Sequence, residues 1–231
     1  MKVVAYACTR NLYDAAWVSI NSLLRNNKGI DKVLLIIEDD AFTHLLNKKV
    51  EVYNYHKLPE VLNPHSPNMR SVFTYMSLVR LCLPKWFPQY HKILWLDCDT
   101  LIVGNIESLW DIDMTDYAIA AVEDVMNPIA DKVDTYINTG VCLYNFKYLR
   151  EHGLADLMLN EINTVKHKWA DQDVTNLYSQ GHIYLLDYKY NEYTGRSRTF
   201  DPLIWHWAGV HEWWKDDKPK AGIWNRFAKS I

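Results

Sequence analysis

The feature that most constrains the fold is a pair of short, unbroken apolar runs. Residues 32–38 read KVLLIIE, and residues 92–96 read KILWL. A strand buried on both faces has such a continuous apolar run, which is typical of parallel sheets covered by helices. Apolar residues at helical spacing within residues 11–27 predict one of those helices. We therefore predict an α/β/α sandwich with a mostly parallel central sheet.

Further apolar patterns continue this alternation of strands and helices. We predict additional strands at residues 3–8, 50–56, 116–124, 136–146 and 182–190. Additional helices are predicted at residues 70–84, 149–168 and 171–180. Pro84 is expected to end the first of these helices because proline lacks a backbone N–H. The residues from 201 onward give little regular signal. Since no repeat or linker is found, residues 1–231 are predicted to form one domain.

Composition and charge argue against several classes of protein. The net charge is −3 and no basic block occurs, which argues against nucleic acid or an anionic membrane as a partner. No apolar stretch is long enough to span a bilayer, and the apolar start of the chain is too short for a signal peptide. The four cysteines lack metal-ligand spacing and are expected to be free thiols in a reducing compartment. We therefore expect a cytoplasmic protein.

Two aspartates directly follow the second apolar run, in the sequence KILWLDCDT. An ionised carboxylate in apolar surroundings is costly unless it is paired or bound to a metal. Residues i and i+2 of an extended chain point to the same side, so Asp97 and Asp99 can converge while Cys98 faces away. This pair predicts a site for Mg²⁺ or Mn²⁺ with room for substrate phosphates. The alternative is a turn in which the aspartates cap the next helix or pair with lysine or arginine.

Five segments of the chain carry a family resemblance. They are AYACTRNLYDAAWVSINSLL, YMSLVRLCLPKWFPQYHKILWLDCDTLIVGNIESLW, YINTGVCLYN, ADQDVTN and HWAGVH. In this order they resemble the family 8 glycosyltransferases, which include glycogenin and bacterial lipopolysaccharide galactosyltransferases. The resemblance covers most of the chain and implies the GT-A fold, a nucleotide-sugar donor and transfer with retention of anomeric configuration. It also implies Mn²⁺ as the cofactor, with Mg²⁺ as the alternative, and UDP as the nucleotide.

The same resemblance implies roles for three residues at the reaction centre. His206 would be the third protein ligand of the metal, and neutral imidazole is a good ligand for such an ion. The alternative is that His206, between two tryptophans, is a packed core residue. Asp171 and Gln172 would lie next to the anomeric carbon as the catalytic pair. The alternative for Asp171 is an N-cap of the helix that it opens.

The resemblance also assigns residues to the rest of the donor. Asp124, Asn138 and Thr139 are expected to bind the donor sugar. The residues expected at the nucleotide or diphosphate are Thr9, Asn11, Tyr13, Arg80, Cys98 and Gly209. Tyr13 would stack on the base, and the alternative is simple helix packing. The planar guanidinium of Arg80 would contact the diphosphate or the sugar, and the alternative is a surface ion pair.

One position departs from the family pattern. A lysine is expected three residues after the glycine of HWAGVH, and Glu212 stands there instead. A carboxylate beside a diphosphate is unfavourable, so the cation that steadies the leaving group must come from elsewhere. The pair Lys218–Pro219 repeats the expected Lys-Pro further along the chain. Our hypothesis is that Lys218 takes this role, with Lys215 as the rival.

These observations predict a Mn²⁺-dependent retaining glycosyltransferase that moves a sugar from a UDP-sugar to an acceptor hydroxyl. The acceptor can be a glycan, a lipid or a protein, and the oligomeric state is open, a homodimer included. Two alternatives remain at this point. A metal-dependent phosphohydrolase can use the same Asp-x-Asp pattern, and the tryptophan-rich tail is compatible with a carbohydrate-binding module.

Overall fold

The structure is a computed structural model that describes residues 1–44, 47–70, 74–124, 126, 128–129, 131–194 and 198–231. Its strands are β1 (Val3–Cys8), β2 (Lys32–Ile37), β3 (Val50–Asn54), β4 (Lys92–Leu96), β5 (Thr100–Ile102), β6 (Ile119–Glu123), β7 (Ile137–Asn145), β8 (Ile183–Leu185), β9 (Glu192–Tyr193) and β10 (Ile204–His206). Its α-helices are α1 (Tyr13–Asn26), α2 (Val79–Trp86), α3 (Phe146–Glu151), α4 (Leu154–Thr164), α5 (Ala170–Tyr178) and α6 (Ala221–Ala228).

The main sheet of the described residues has the strand order β3-β2-β1-β4-β7-β6-β8. Strands β3, β2, β1 and β4 pair in parallel, whereas β7 is antiparallel to both of its neighbours. Strand β8 pairs in parallel with β6. The predicted sandwich with a mostly parallel sheet is therefore confirmed. The reversed direction of β7 brings its first residues to the edge where β1 and β4 end.

Helices cover both faces of this sheet, which explains the unbroken apolar runs. In β4, Ile93 and Trp95 belong to the core on the face of α2, α4 and α5. Leu94 and Leu96 belong to the core on the opposite face, with α1 and α6. Because successive side chains of a strand alternate between faces, every residue from Ile93 to Leu96 is buried.

A small second sheet, β5-β10-β9, places His206 beside the aspartates. Strand β10 is antiparallel to β5, with His206 opposite Thr100. The backbone N–H of Trp207 donates to the carbonyl of Asp99 at 3.0 Å, which extends this pairing. The tail that gave little regular signal therefore contributes β10 and α6. Strands of two or three residues are too short for a period-2 pattern to show in the sequence.

The structure corrects three of the predicted elements. Helix α2 continues through Pro84 to Trp86, because a proline removes only its own N–H, and Phe87 N–H still donates to Leu83 O at 2.9 Å. The helix predicted at 149–168 is replaced by α3 and α4, which are separated at Gly153 with a φ of 68°. The strand predicted at 182–190 ends at Leu185. The helix predicted from residue 70 also starts later: residues 71–73 lie outside the described residues, Tyr75–Leu78 form a 3₁₀ helix, and α2 begins at Val79.

Candidate active site

A cleft of about 730 Å³ opens where β1 and β4 end and β7 begins. Ligands of open α/β sheets bind beyond the carboxyl ends of the strands, so this is the expected position for a site. The residues predicted from sequence that line the cleft are Thr9, Asn11, Arg80, Asp97, Cys98, Asp99, Asp124, Asn138, Thr139, Asp171, Gln172, His206 and Gly209. Tyr13, Lys215 and Lys218 do not line it.

Asp97, Asp99 and His206 form a cluster that could hold a metal ion. One ligand atom from each lies within 4.8 Å of the others. A turn after β4 brings the carboxylates together, and it is held by the Thr100 hydroxyl, which donates to Asp97 O at 2.7 Å. The imidazole Nε2 of His206 lies 3.3 Å from Asp99 Oδ1. Two carboxylates and one imidazole suit Mn²⁺, and the carboxylates suit Mg²⁺.

The charges of this cluster alter the protonation of His206, which is 3% exposed. Burial by itself lowers the pKa of the imidazole, but the nearby carboxylates of Asp99 and Asp97 more than reverse this effect. The pKa of His206 therefore lies above its ordinary value. A divalent cation between these groups would take over the role of the proton.

Gly140 is required by the close packing of this cluster. A Cβ atom at this position would lie 2.3 Å from His206 Cε1 and 2.9 Å from Asp97 Oδ2. Any side chain would therefore push two of the three candidate ligands out of place. The backbone also fixes Asp97, since its N–H donates to Gly140 O at 2.8 Å. The cluster and the glycine beneath it fit a bound cation.

Arg80 binds two carboxylates of the site. Its guanidinium contacts Asp97 Oδ1 at 2.8 Å and Asp171 Oδ2 at 3.0 Å, and it lies 4.6 Å from the centre of the Trp95 ring. Trp95 Nε1–H also donates to Asp97 Oδ1, at 2.7 Å. With Oδ1 held in this way, Oδ2 of Asp97 is the oxygen next to Gly140, where a Cβ would lie 2.9 Å from it and 2.9 Å from His206 Nε2. The side chains of Arg80 and Asp171 are 3% and 6% exposed, so their ion pair is buried and not a surface one, whereas the Asp97 side chain is 31% exposed.

The first turn of α5 carries the predicted catalytic pair. Asp171 is 4% exposed, and this burial raises the pKa of its carboxyl, although the Arg80 guanidinium opposes the shift. Its carboxylate contacts Arg80 and does not cap the helix. The capping bond comes instead from Asp173, whose Oδ2 accepts from the backbone N–H of Trp169 at 2.9 Å. The N-cap alternative for Asp171 is therefore wrong.

Gln172 and the three predicted sugar-binding residues form a hydrogen-bonded group. Gln172 Oε1 accepts from the Thr139 backbone N–H at 3.1 Å and from Asn138 Nδ2 at 3.1 Å. Its Nε2 donates to Asp124 Oδ2 at 3.3 Å. These contacts bring together residues from β7, from α5 and from the end of β6.

The predicted nucleotide residues lie in two environments. Thr9 and Asn11 line the cleft, and the Thr9 hydroxyl donates to Asn11 Oδ1 at 2.5 Å. Tyr13 is buried, donates its hydroxyl to Asp39 Oδ1 at 2.8 Å and packs its ring on Phe42. The Cys98 thiol donates to Ala7 O at 3.7 Å.

The segment after β10 contains the departure from the family pattern. Gly209 has a φ of 71°, a conformation that glycine adopts without strain, and Glu212 has a φ of 50°. Glu212 forms an exposed ion pair with Lys215 at 2.7 Å, and Lys218 pairs with Asp217 at 3.4 Å. Glu212 itself lines the cleft, as does His211, which the sequence reasoning missed.

An α/β/α sandwich with an Asp-x-Asp and a histidine at the strand ends defines the class of GT-A glycosyltransferases. The chain belongs to glycosyl transferase family 8, because residues 3–218 match the sequence profile of that family. The resemblance of the five segments is therefore confirmed over nearly the whole chain.

Individual relatives agree with this assignment. Glycosyltransferase GlyA of Streptococcus pneumoniae is 25% identical over 93% of this chain and 32% of its own length. A lipopolysaccharide 1,2-glucosyltransferase of Escherichia coli is 26% identical over 92% of this chain and 73% of its own length. The chain thus spans about one third of GlyA. It also spans about half of two other pneumococcal relatives, GlyB and GlyF.

Solved structures confirm the fold. The galactosyltransferase LgtC, solved in complex with donor and acceptor sugar analogues, superposes with a TM-score of 0.71 and 19% identity over 99% of this chain and 96% of LgtC. The bifunctional glycosyltransferase WbbM gives a TM-score of 0.78 at 17% identity, over 98% of this chain and 49% of WbbM. Separately, none of the helices in the described part of the chain has the length and apolar character needed to cross a membrane.

Proposed function

We propose that this chain transfers a sugar from a UDP-sugar to an acceptor hydroxyl with retention of anomeric configuration, and that the reaction requires Mn²⁺. The observation that carries the proposal is the Asp97, Asp99 and His206 cluster at the floor of the cleft in a family 8 chain. A divalent cation held there would offset the charge of the diphosphate as it leaves. Mg²⁺ is the alternative ion.

The protein's own groups would orient the donor around this ion. Thr9 and Asn11 lie in the cleft beyond the end of β1, where a nucleotide would extend away from the metal cluster. Asp124 and Asn138 supply a carboxylate and an amide that suit the hydroxyls of the donor sugar. Their polar atoms are already fixed by neighbouring side chains, so little ordering would be needed on binding.

Asp171 and Gln172 would act at the anomeric carbon. The carboxylate of Asp171 is buried and ion-paired with Arg80, which weakens it as a nucleophile. This arrangement suits electrostatic stabilisation of an oxocarbenium-like centre. We therefore favour a route in which the acceptor enters on the face that the diphosphate leaves, with the diphosphate accepting the proton from the acceptor hydroxyl.

A cation from the segment after β10 would complete the leaving-group site. Lys218 remains our first candidate and Lys215 the rival, because Lys215 is held by Glu212. Among the residues that the structure describes, Lys218 is ion-paired with Asp217 at the longer distance of 3.4 Å. Lys218 does not line the cleft, so this role would require the segment after β10 to move when the donor binds.

The names of the relatives suggest the classes of donor sugar and acceptor. Because one relative is a lipopolysaccharide glucosyltransferase, we propose a glycan or glycolipid as the acceptor and a hexose as the donor sugar. We propose that residues 1–231 form a single catalytic domain.

The four cysteines are buried and unpaired, which supports a reducing compartment such as the cytoplasm.

The proposed function is tested by following the release of nucleoside diphosphate. The chain is incubated with Mn²⁺ and a panel of nucleotide sugars, with Asp99→Asn as the inactive control. Release that requires Mn²⁺ and is lost in the variant supports the transferase. Release of inorganic phosphate would instead support the phosphohydrolase, and sugar binding without any nucleotide binding would support the carbohydrate-binding module.

A further inference from the structure

Asn191, which no part of the sequence reasoning singled out, lies directly behind the metal cluster. It is 2% exposed and immediately precedes β9. Its Oδ1 lies 2.8 Å from His206 Nδ1, the ring nitrogen that faces away from Asp99. Its Nδ2 donates to Asn138 Oδ1 at 2.9 Å. Asn191 thus connects a candidate metal ligand with a candidate sugar-binding residue.

The direction of these hydrogen bonds follows from a backbone group. The Gly140 N–H can only donate, and its partner at 3.0 Å is the Asn138 side chain, so that atom must be the carbonyl oxygen Oδ1. The Asn191 atom that faces the same oxygen must then be the NH₂ group. The remaining atom of Asn191, its Oδ1, is therefore the one that faces the imidazole of His206.

A second backbone group fixes the other end of the network in the same way. The Thr139 N–H donates to Gln172 at 3.1 Å, which identifies the accepting atom as Oε1. Asn138 Nδ2 donates to that oxygen at 3.1 Å, in agreement with the assignment from Gly140. A 180° rotation of the Asn138 amide would place its NH₂ group against the Gly140 N–H. The same rotation of the Asn191 amide would place its oxygen against Asn138 Oδ1.

A carbonyl oxygen at 2.8 Å requires a proton on Nδ1 of His206. A neutral imidazole has one proton, so Nε2 then presents its lone pair to the side of Asp97 and Asp99. Without Asn191, the Asp99 carboxylate, 3.3 Å from Nε2, would attract that proton to Nε2. In that tautomer the neutral ring would present no lone pair to a cation held by Asp97 and Asp99.

We propose that Asn191 is a positioning residue of the metal site, which holds His206 in the Nδ1–H tautomer and in the orientation that metal ligation needs. This inference rests on the metal site of the proposed function. A histidine ligand commonly donates its other ring N–H to a carbonyl or carboxylate partner, and loss of that partner lowers metal affinity about 10–100-fold. Asn191 itself does not line the cleft, so it would act through His206.

The test compares two variants of similar size in Mn²⁺ binding to the whole chain, measured by electron paramagnetic resonance of free Mn²⁺. Asn191→Leu removes the acceptor, and we expect its dissociation constant for Mn²⁺ to rise about 10–100-fold. Asn191→Asp keeps an acceptor for Nδ1–H but sets a carboxylate oxygen against Asn138 Oδ1. It should lose thermal stability while its affinity for Mn²⁺ stays within about threefold of the unmodified chain.

Asn145→Ala serves as a matched control. Asn145 is also a buried asparagine, and its amide donates to Met114 O at 2.7 Å and Tyr117 O at 3.0 Å, away from the cleft. This variant should lose stability and keep its affinity for Mn²⁺. Unchanged affinity in Asn191→Leu, or equal loss in the Leu and Asp variants, would overturn the proposal. Failure of the unmodified chain to bind Mn²⁺ would instead overturn the metal site itself.

Discussion

At the scale of single residues, Arg80 connects Asp97 of the candidate metal site with the first turn of α5. Its guanidinium is buried and contacts both Asp97 and Asp171. Removing one partner of a buried pair leaves charges in a medium that solvates them poorly. The resemblance assigned Arg80 to the diphosphate or the sugar, and that role remains a proposal alongside these contacts.

We expect Arg80→Gln to lower the free energy of unfolding by about 3–5 kcal/mol, because Asp97 and Asp171 would lose their compensating charge. The measurement is denaturant unfolding in the absence of divalent metal. Lys57→Ala is the control, since its pair with Asp40 is exposed and should contribute about 1 kcal/mol or less. Equal effects of the two substitutions would show that the Arg80 network does not stabilise the fold.

Gly140 offers a second test at this scale. Gly140→Ala should weaken Mn²⁺ binding by about tenfold or more and cost about 1–3 kcal/mol of stability, because the new methyl group would overlap His206 and Asp97. Gly222→Ala, where the nearest atom to a new Cβ is Arg226 Nη1 at 3.5 Å, should be tolerated. Titration with Mn²⁺ and thermal unfolding measure both effects. Wild-type affinity in Gly140→Ala would contradict the observed packing.

The sequence allowed Asp97, Asp99 and His206 to be grouped as a candidate metal site because part of the signal is local. Asp97 and Asp99 share a side through the period of an extended chain, and the resemblance supplied His206. Asn191 and Gly140 were missed because their roles depend on contacts between β7, β9 and β10, which are far apart in sequence. For Gly140, a glycine in the middle of an apolar strand was the available signal, since such a position often marks a close approach.

At the scale of elements, predictions succeeded where an element buries a complete face. Strands β1, β2 and β4 and helix α1 were all anticipated, since their apolar patterns run over five residues or more. The boundary between α3 and α4 was not anticipated, because the apolar spacing continues across Gly153 while the backbone there turns left-handed. Strands β9 and β10 are held by pairing with distant residues and leave no periodic signal.

The segment after β10 gives a prediction at this scale. If Lys218 steadies the leaving diphosphate, Lys218→Ala should lower turnover by about 10²-fold, as loss of one charge-stabilising group does in other enzymes. Lys215→Ala should have a small effect, because Lys215 is already paired with Glu212. Turnover of the two variants with a UDP-sugar and Mn²⁺ measures the difference. A larger loss of turnover in Lys215→Ala would assign the role to Lys215. Unchanged turnover in both variants would exclude both lysines from the role.

At the scale of the whole molecule, we expect protonation, metal binding and stability to be coupled through His206. The pKa of its imidazole is raised, so in the metal-free protein the protonated ring stabilises the fold. This contribution is complete below the ordinary pKa of 6.5 and is lost as the pH rises through the raised pKa. A cation competes with the same proton, so it binds more favourably at higher pH.

Added Mn²⁺ should therefore raise the thermal unfolding temperature more at about pH 8 than at about pH 6. Thermal unfolding with and without Mn²⁺ at the two pH values measures this difference. In His206→Ala the difference between the two pH values should largely disappear. Equal stabilisation of the unmodified chain at both pH values would mean that His206 is not a ligand of the ion.

The proposed function requires that Asp97, Asp99 and His206 bind a divalent cation that in turn binds the diphosphate of the donor. Calorimetric titration of the chain with UDP, with and without Mn²⁺, tests it most directly. We expect Mn²⁺ to strengthen UDP binding at least about tenfold, which is about 1.4 kcal/mol, and Asp99→Asn to abolish this gain. UDP affinity that is the same with and without Mn²⁺ would contradict it.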